Sequence, residues 1–266
     1  GGESVPMSVD VLVSAVGLFG APKLPDIPGL TGFGGPIMHT AQWDSAVPLR
    51  GKKIAVIGTG ASGVQVVPEL AKVAEAVTVF QRTPPWMVPK DDRPYSTSEL
   101  ARFRRNPLAA RRTRWQIWKF QHDVTANGAD DPMVAERTRV ATDFLERTVA
   151  DESLRRALTP DYPFRCKRVL LGDDYYRALQ RDNVHLVTDP IAAVSAGALT
   201  TAAGAAVDAD IIVLATGFET ADYLAGIDVI GAGGRSLHEH WGEDPSAYLG
   251  AAVSGFPNFF MLYGPN

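Results

Sequence analysis

Cysteine is almost missing from this chain: among 266 residues there is one, Cys166. A single thiol excludes an internal disulfide and a CxxC redox pair, and it suits a reducing compartment such as the cytoplasm. Long apolar runs are missing as well, and nothing approaches the roughly 20 residues a helix needs to span a bilayer. No basic segment followed by an apolar one opens the chain, so no secretion signal is expected. A strong charge of either sign is also lacking. The net charge of −4 gives no overall pull toward nucleic acid or an anionic membrane. His39, His238 and His240 lack carboxylate or cysteine partners at metal-ligand spacing, so no metal is expected. What remains is a chain with 45% hydrophobic residues, enough for one large or two modest cores. It opens on Gly1-Gly2 and stops at Tyr263-Gly264-Pro265-Asn266, and both ends read as cuts.

Against that plain background one motif stands out. Gly58-Thr59-Gly60-Ala61-Ser62-Gly63 directly follows the apolar run Ile54-Ala55-Val56-Ile57. A buried strand, a glycine turn and a helix opening at Ala61 or Ser62 form a cradle for a dinucleotide pyrophosphate. Gly58 allows the sharp turn, Gly60 lets backbone approach the phosphates, and Gly63 lets helix and strand pack closely. The free N–H groups and the dipole of the helix start then face negative charge. Val64, Val66, Val67 and Leu70 give that helix an apolar face. The cofactor-contacting set is Gly58, Thr59, Gly60, Ala61, Ser62, Gly63, Val64 and Gln65.

The second strand of the unit is Ala76–Phe80. NAD-binding units place an acid near its end, where it accepts from the ribose 2′-hydroxyl. Here the chain reads Gln81-Arg82-Thr83. The Arg82 guanidinium suits a 2′-phosphate, which it can grip with parallel hydrogen bonds, and Thr83 adds a hydroxyl. The expected nucleotide is therefore NADP(H). The alternative is that Arg82 is a solvated surface residue.

An internal echo points to a second domain. Asp10-Val11-Leu12-Val13-Ser14-Ala15-Val16-Gly17 and Asp210-Ile211-Ile212-Val213-Leu214-Ala215-Thr216-Gly217 share an acid, an apolar run, Ala and Gly in register. Each reads as a buried parallel strand leaving the sheet at glycine. The second closes the unit begun at Gly58. The first closes a similar unit whose glycine fingerprint is expected upstream of Gly1.

Between these landmarks, residues 18–50 carry repeated Pro and Gly and read as an irregular linker. Ser96-Thr97-Ser98-Glu99 is a capping box opening a helix that stops before Pro107. A helix over 108–121, one opening at Asp131-Pro132 and one over 152–158 make 95–160 a helical insertion. Its arginines, Arg102, Arg104, Arg105, Arg111, Arg112 and Arg114, read as a solvated face rather than a nucleic-acid site. Trp115 and Trp118, three apart, are expected to face a core or pocket. Tyr175-Tyr176 starts a helix, Val184–Val187 is a strand, and 191–208 is a β-excursion. His185 reads as structural.

Phe33-Gly34-Gly35-Pro36-Ile37-Met38-His39-Thr40-Ala41-Gln42-Trp43-Asp44 resembles the FxGxxxHxxxW(P/D) fingerprint of type I Baeyer–Villiger monooxygenases. Cys166-Lys167-Arg168, Ala215-Thr216-Gly217-Phe218 and the C-terminal Tyr248–Asn266 add to the likeness, which covers essentially the whole chain. The Trp43-Asp44 ending separates it from the flavin-containing monooxygenases that oxidise sulfur and nitrogen.

The resemblance implies an α/β protein: a Rossmann-like NADP-binding domain with a helical insertion, plus the remaining part of a second, FAD-binding Rossmann-like domain. Residues 1–50 would be the end of the first FAD-domain segment and a linker. Residues 51–94 and 161–217 would bind NADP, 95–160 would be the insertion, and 218–266 would return to the FAD domain. It implies that NADPH reduces FAD, that dioxygen adds to the flavin, and that the resulting flavin peroxide converts a ketone to an ester or lactone. Arg168 would be the catalytic cation beside the flavin. Lys167 would be a second clamp on the 2′-phosphate, and His39, with Phe33, Gly35, Trp43 and Asp44, would organise the linker. Read from the residues alone, Lys167-Arg168 is equally a surface pair and His39 a hydrogen-bonded loop histidine, while Cys166 reads as a small filler. The isolated fragment is expected to be inactive. The alternatives are an N- or S-oxidising flavin monooxygenase and a non-catalytic NADPH-binding module. The partners expected are a small ketone and dioxygen, with no nucleic acid and no membrane; the sequence leaves the oligomeric state open.

Overall fold

The computed structural model describes residues 5–90, 93–125, 132–219, 223–224 and 226–265. Its strands, in chain order, are β1 (Leu12–Ser14), β2 (Ile37–His39), β3 (Lys53–Ile57), β4 (Ala76–Phe80), β5 (Met87–Val88), β6 (Leu170–Leu171), β7 (Val184–Val187), β8 (Ile191–Val194), β9 (Ala198–Thr201), β10 (Ala206–Asp208), β11 (Ile211–Leu214) and β12 (Phe259–Met261). The α-helices are α1 (Ala61–Leu70), α2 (Thr97–Arg105), α3 (Pro107–Thr125), α4 (Pro132–Thr148), α5 (Glu152–Leu158), α6 (Tyr175–Ala178) and α7 (Leu237–Trp241). They form two compact units, Gly1–Pro25 with Thr216–Asn266, and Asp26–Ala215.

The larger unit, Asp26–Ala215, is built on a five-stranded parallel sheet in the order β2-β11-β3-β4-β7. Successive strand residues point to opposite faces. Ile54 and Val56 accordingly join Val77, Val79, Ile211 and Val213 in one core, under Val64, Val67 and Leu70 of α1 and Tyr175 and Tyr176 of α6. Ala55 and Ile57 join Phe80, Ile212 and Leu214 in another, with Leu199 of β9, Val194 of β8 and the Leu30–Phe33 turn. Both faces are covered, so the central strands read as unbroken apolar runs rather than as an alternation. Burying each such side chain contributes about 1.5–3 kcal/mol. The second face is roofed by an antiparallel sheet, order β10-β9-β8.

The insertion opens as its sequence predicts. The Ser96 hydroxyl accepts from the Glu99 N–H while the Glu99 carboxylate accepts from the Ser96 N–H, closing the capping box of α2. Asp151 caps α5 by accepting from the Leu154 N–H. The cap expected at Asp131 lies outside the described residues.

Two expectations are corrected here. Part of the stretch 18–50 is regular: a 3-10 turn at Leu30–Gly32 joins the core, and β2 forms a strand at the sheet edge. Long-range pairing with β11 overrides the local glycine and proline signal. Trp115 and Trp118 do not face a core, being 56% and 57% exposed. Helical spacing aligns side chains on one face, but only a facing layer buries them.

The smaller unit pairs β1 with β12 in parallel. Its core holds Leu224, Leu237, Trp241, Phe256, Phe259 and Met261, with the Trp241 indole N–H donating to the Ser246 carbonyl. Val11, Leu12 and Val13 are exposed, against the buried strand their sequence predicts. Among the described residues β1 pairs with β12 alone.

Candidate functional site

One row of paired residues crosses the sheet near its C-terminal edge: His39, Leu214, Ile57, Phe80 and Val187. The ladder continues one step beyond it. The Thr40 N–H donates to Leu214, Ala215 to Ile57, Gly58 to Phe80 and Gln81 to Val187, at 2.8–3.1 Å. The segments that follow β2, β3, β4 and β11, with His39, the glycine turn, Arg82 and Ala215, therefore leave this sheet at the same edge. This is where open α/β sheets bind ligands.

Gly58 turns the chain at φ 105°, a left-handed value that favours glycine. Gly63 lies against it, and a Cβ there would stand 2.3 Å from the Gly58 carbonyl oxygen. A Cβ on Gly60 would meet nothing within 4 Å, leaving open space above the turn. Gly60 is the N-cap of α1, and among the described residues no side chain caps it. The first-turn N–H groups are thus left for an external acceptor. Ala61 and Gln65 are exposed, whereas the Val64 side chain turns into the core. Thr59 is buried, and its hydroxyl donates to the Thr83 carbonyl over 3.2 Å.

Arg82 follows buried Gln81 at the end of β4. With Thr83, Pro84, Ala157, Thr159, Asp161 and Thr188 these residues line a recess of about 320 Å³. The recess is open and Arg82 is exposed. It makes no ion pair or hydrogen bond among the described residues.

Parallel pairing of β5 with β6 brings the second basic segment to the same region. Met87 pairs with Leu170, so Pro84 and Lys167 each stand three residues ahead of a paired position. Cys166, Lys167 and Arg168 are all exposed, which corrects the expectation of a buried filler at Cys166. Arg165, at φ 77°, and the Cys166 N–H bond to the Pro163 carbonyl turn the chain there. Arg168 has no ion pair or hydrogen bond among the described residues. The Lys167 ammonium lies 4.7 Å from the centroid of the Tyr162 ring.

The twelve-residue motif seats β2. A Cβ on Gly35 would fall 2.1 Å from the Asp210 carbonyl oxygen and 2.8 Å from the Phe33 ring. Phe33 is buried in the second core. His39 is 4% exposed and its Nδ1 accepts from the Ala41 N–H, which puts the proton of the neutral ring on Nε2. Asp44 accepts from the Ala46 N–H, and Trp43 is partly exposed. The described residues hold no cluster of His, Cys, Asp or Glu fit for a metal ion, and no helix long and apolar enough to cross a membrane.

Sequence reasoning missed Gln81, Asp161 and Tyr162. Their partners are backbone carbonyls or recess neighbours from distant segments, and no motif marks them.

Comparison with known proteins shows what this chain is similar to. Residues 4–126 match the family described as pyridine nucleotide-disulphide oxidoreductase. A Baeyer–Villiger monooxygenase of Pseudomonas aeruginosa is 38% identical over 97% of this chain and 49% of its own length. A cyclohexanone monooxygenase from Rhodococcus sp. Phi1 bound to NADP+ superposes with a TM-score of 0.81 and 30% identity, over 96% of this chain and 55% of that one. The chain belongs to the type I Baeyer–Villiger monooxygenase family. A further solved structure, OTEMO in complex with FAD and NADP, superposes with a TM-score of 0.79 and 31% identity, over 96% of this chain and 56% of that one. The fold is the α/β, Rossmann-like flavoprotein fold of these monooxygenases. The chain spans about half the length of the relatives it matches.

Proposed function

We propose that the turn at residues 58–63 holds the pyrophosphate of NADPH. The whole protein would convert ketones to esters or lactones with NADPH and dioxygen, with FAD as its second cofactor. The observation that carries the reading is the cradle itself. Gly63 fits only without a side chain, Gly60 borders open space, and α1 begins uncapped. The residues present fit a dinucleotide there. For FAD the fit is different. Among the described residues, the smaller unit has one parallel strand pair, and neither of its strands runs through a glycine turn into a helix as β3 does.

When bound, the nicotinamide and the flavin supply the redox chemistry. The chain's own residues do the rest. The first-turn N–H groups of α1 meet pyrophosphate oxygens. Arg82 and Lys167 offset the charge of the 2′-phosphate, and Thr83 adds a hydroxyl donor. Arg168 offers a permanently charged, planar donor to negative charge that develops during the reaction, worth about 3 kcal/mol in a dry site. His39, fixed at the end of β2, holds the Phe33–Asp44 motif on the sheet edge. On this reading Asp26–Ala215 is the NADP-binding domain with 95–160 as its insertion, and the smaller unit is part of the FAD domain. A cytoplasmic setting fits the lone, exposed thiol of Cys166.

The test is product analysis on the whole protein with NADPH, a ketone and a thioether. Ester or lactone formation is expected. Oxidation of the thioether with no attack on any ketone would instead favour the heteroatom-oxidising enzymes. In parallel, Arg82→Ala should abolish most of the preference for NADPH over NADH. An unchanged preference would remove the cofactor assignment.

A further inference from the structure

The turn that follows β4 is tied to the segment ahead of β6 by residues no motif marks. The Tyr162 hydroxyl donates to the Pro84 carbonyl at 3.0 Å, and the Trp86 indole N–H donates to the Tyr162 carbonyl at 2.9 Å. The Gln81 amide donates to the Ala157 carbonyl at 2.8 Å, and the Trp86 and Phe164 rings meet edge to face at 5.5 Å. Tyr162 is thus held at both its ends by the two residues flanking Pro85. Burial pushes its hydroxyl above the ordinary phenol range, so it remains a donor.

On this fixed ring rests the ammonium of Lys167. A lysine head on a four-carbon stem is loose unless something orients it. A carboxylate would orient it and cancel its charge. An aromatic face orients it through the ring quadrupole and leaves the positive charge uncompensated. Asp161, next in the chain to Tyr162, lines the recess with Arg82, yet it forms no ion pair with Lys167 or Arg82 among the described residues.

We propose that Tyr162 is a positioning residue for cofactor choice: its ring holds Lys167 at the end of β4, so that two cations rather than one act on a 2′-phosphate. This rests on the reading of Arg82 and Lys167 as the phosphate-binding pair.

The experiment is calorimetric titration of the protein with 2′,5′-ADP and with 5′-AMP, which differ in the 2′-phosphate alone. Tyr162→Leu should weaken 2′,5′-ADP about five- to tenfold, the scale of one oriented charge-assisted contact, and leave 5′-AMP within about twofold. Tyr162→Phe, which keeps the ring, should retain the discrimination. In a Lys167→Met background Tyr162→Leu should have no further effect. Arg82→Ala separates the two layers of the argument. If Arg82→Ala loses discrimination but folded Tyr162→Leu keeps it, the role of Tyr162 is overturned while the site stands. If Arg82→Ala keeps it, the site and this inference fall together. Equal weakening of both ligands by Tyr162→Leu marks a merely structural residue and also overturns the proposal. If Tyr162→Leu does not fold, the unaltered protein decides the matter. The Lys167 ε-methylene proton signals, shifted by the Tyr162 ring, should move with 2′,5′-ADP and not with 5′-AMP, and signals indifferent to both would refute the proposal.

Discussion

The hydroxyl of Thr59, inside the glycine turn, donates to the carbonyl of Thr83, just past the end of the neighbouring strand. Thr59 and Thr83 follow adjacent parallel strands whose last paired residues are Ile57 and Phe80. One bond thus joins the glycine turn to the residue beside Arg82. Thr59→Val keeps the shape and removes the donor. It should cost about 1 kcal/mol of stability, read by urea denaturation, and weaken NADP+ several-fold. Unchanged NADP+ binding in the folded variant would show that the two halves of the site are independent.

The glycines of the turn separate folding from binding. Gly63→Ala drives a methyl against the backbone oxygen of Gly58 and should destabilise the protein by about 1–3 kcal/mol. Gly60→Ala meets only open space within the protein, so its melting temperature should hold while NADP+ affinity falls. Measured together, two equally stable variants, or a Gly60→Ala protein with full affinity, would contradict the assignment of the cradle.

The edge strand β2 gives a third test. Gly35→Ala places a methyl on the Asp210 carbonyl, next to the Ile212 N–H bond to Pro36. Hydrogen exchange at Ile212 and Thr40 should accelerate at least tenfold, the ratio for ~1.4 kcal/mol of lost local stability. Protection equal to wild type would mean that β2 tolerates the displacement.

Acid provides a fourth. Glu99 takes a two-pronged bond from Arg93, at 2.8 and 2.9 Å, and another from the Ser96 N–H. The bonds from Arg93, and then the Ser96 backbone, hold its carboxyl far below the ordinary value of 4.5. A depressed folded value gives stabilisation that is complete above the unfolded pKa and disappears as pH falls through the folded one. The carboxyl carbon of Glu99 should therefore show no NMR titration step near pH 4.5, and α2 should fray only in stronger acid. A step at the ordinary value would dissolve the capping box as an ion-paired device.

The sequence made the glycine turn, the central strands and the capping box readable because each is written in neighbouring residues. Ile54–Ile57, Gly58–Gly63 and Ser96–Glu99 need no distant partner to be recognised. β2 was not readable: three residues between glycines and prolines become a strand only because β11, far along the chain, lies beside them. Helical spacing placed Trp115 and Trp118 correctly on one helix but carried no information about what covers it. The apolar run around Leu12 likewise reads as buried, and in this chain, which spans about half the length of its relatives, it is exposed. At the site, Arg82 was visible as a cation where an acid is usual, whereas Lys167 was singled out only by the family resemblance. Gln81 and Tyr162 were not, because they act on the carbonyls of Ala157 and Pro84, which every residue possesses.

In the smaller unit, the Lys23 N–H donates to the Gly217 carbonyl, the Thr216 hydroxyl donates back to the Lys23 carbonyl, and the Glu219 N–H donates to Ala21. The segments that end at Pro25 and begin at Thr216 are thus stitched to each other within this unit. In chain order, Asp26–Ala215 lies between two segments that already bond to each other. Their pairing is made by their own backbone and hydroxyl groups and draws on none of the residues between them.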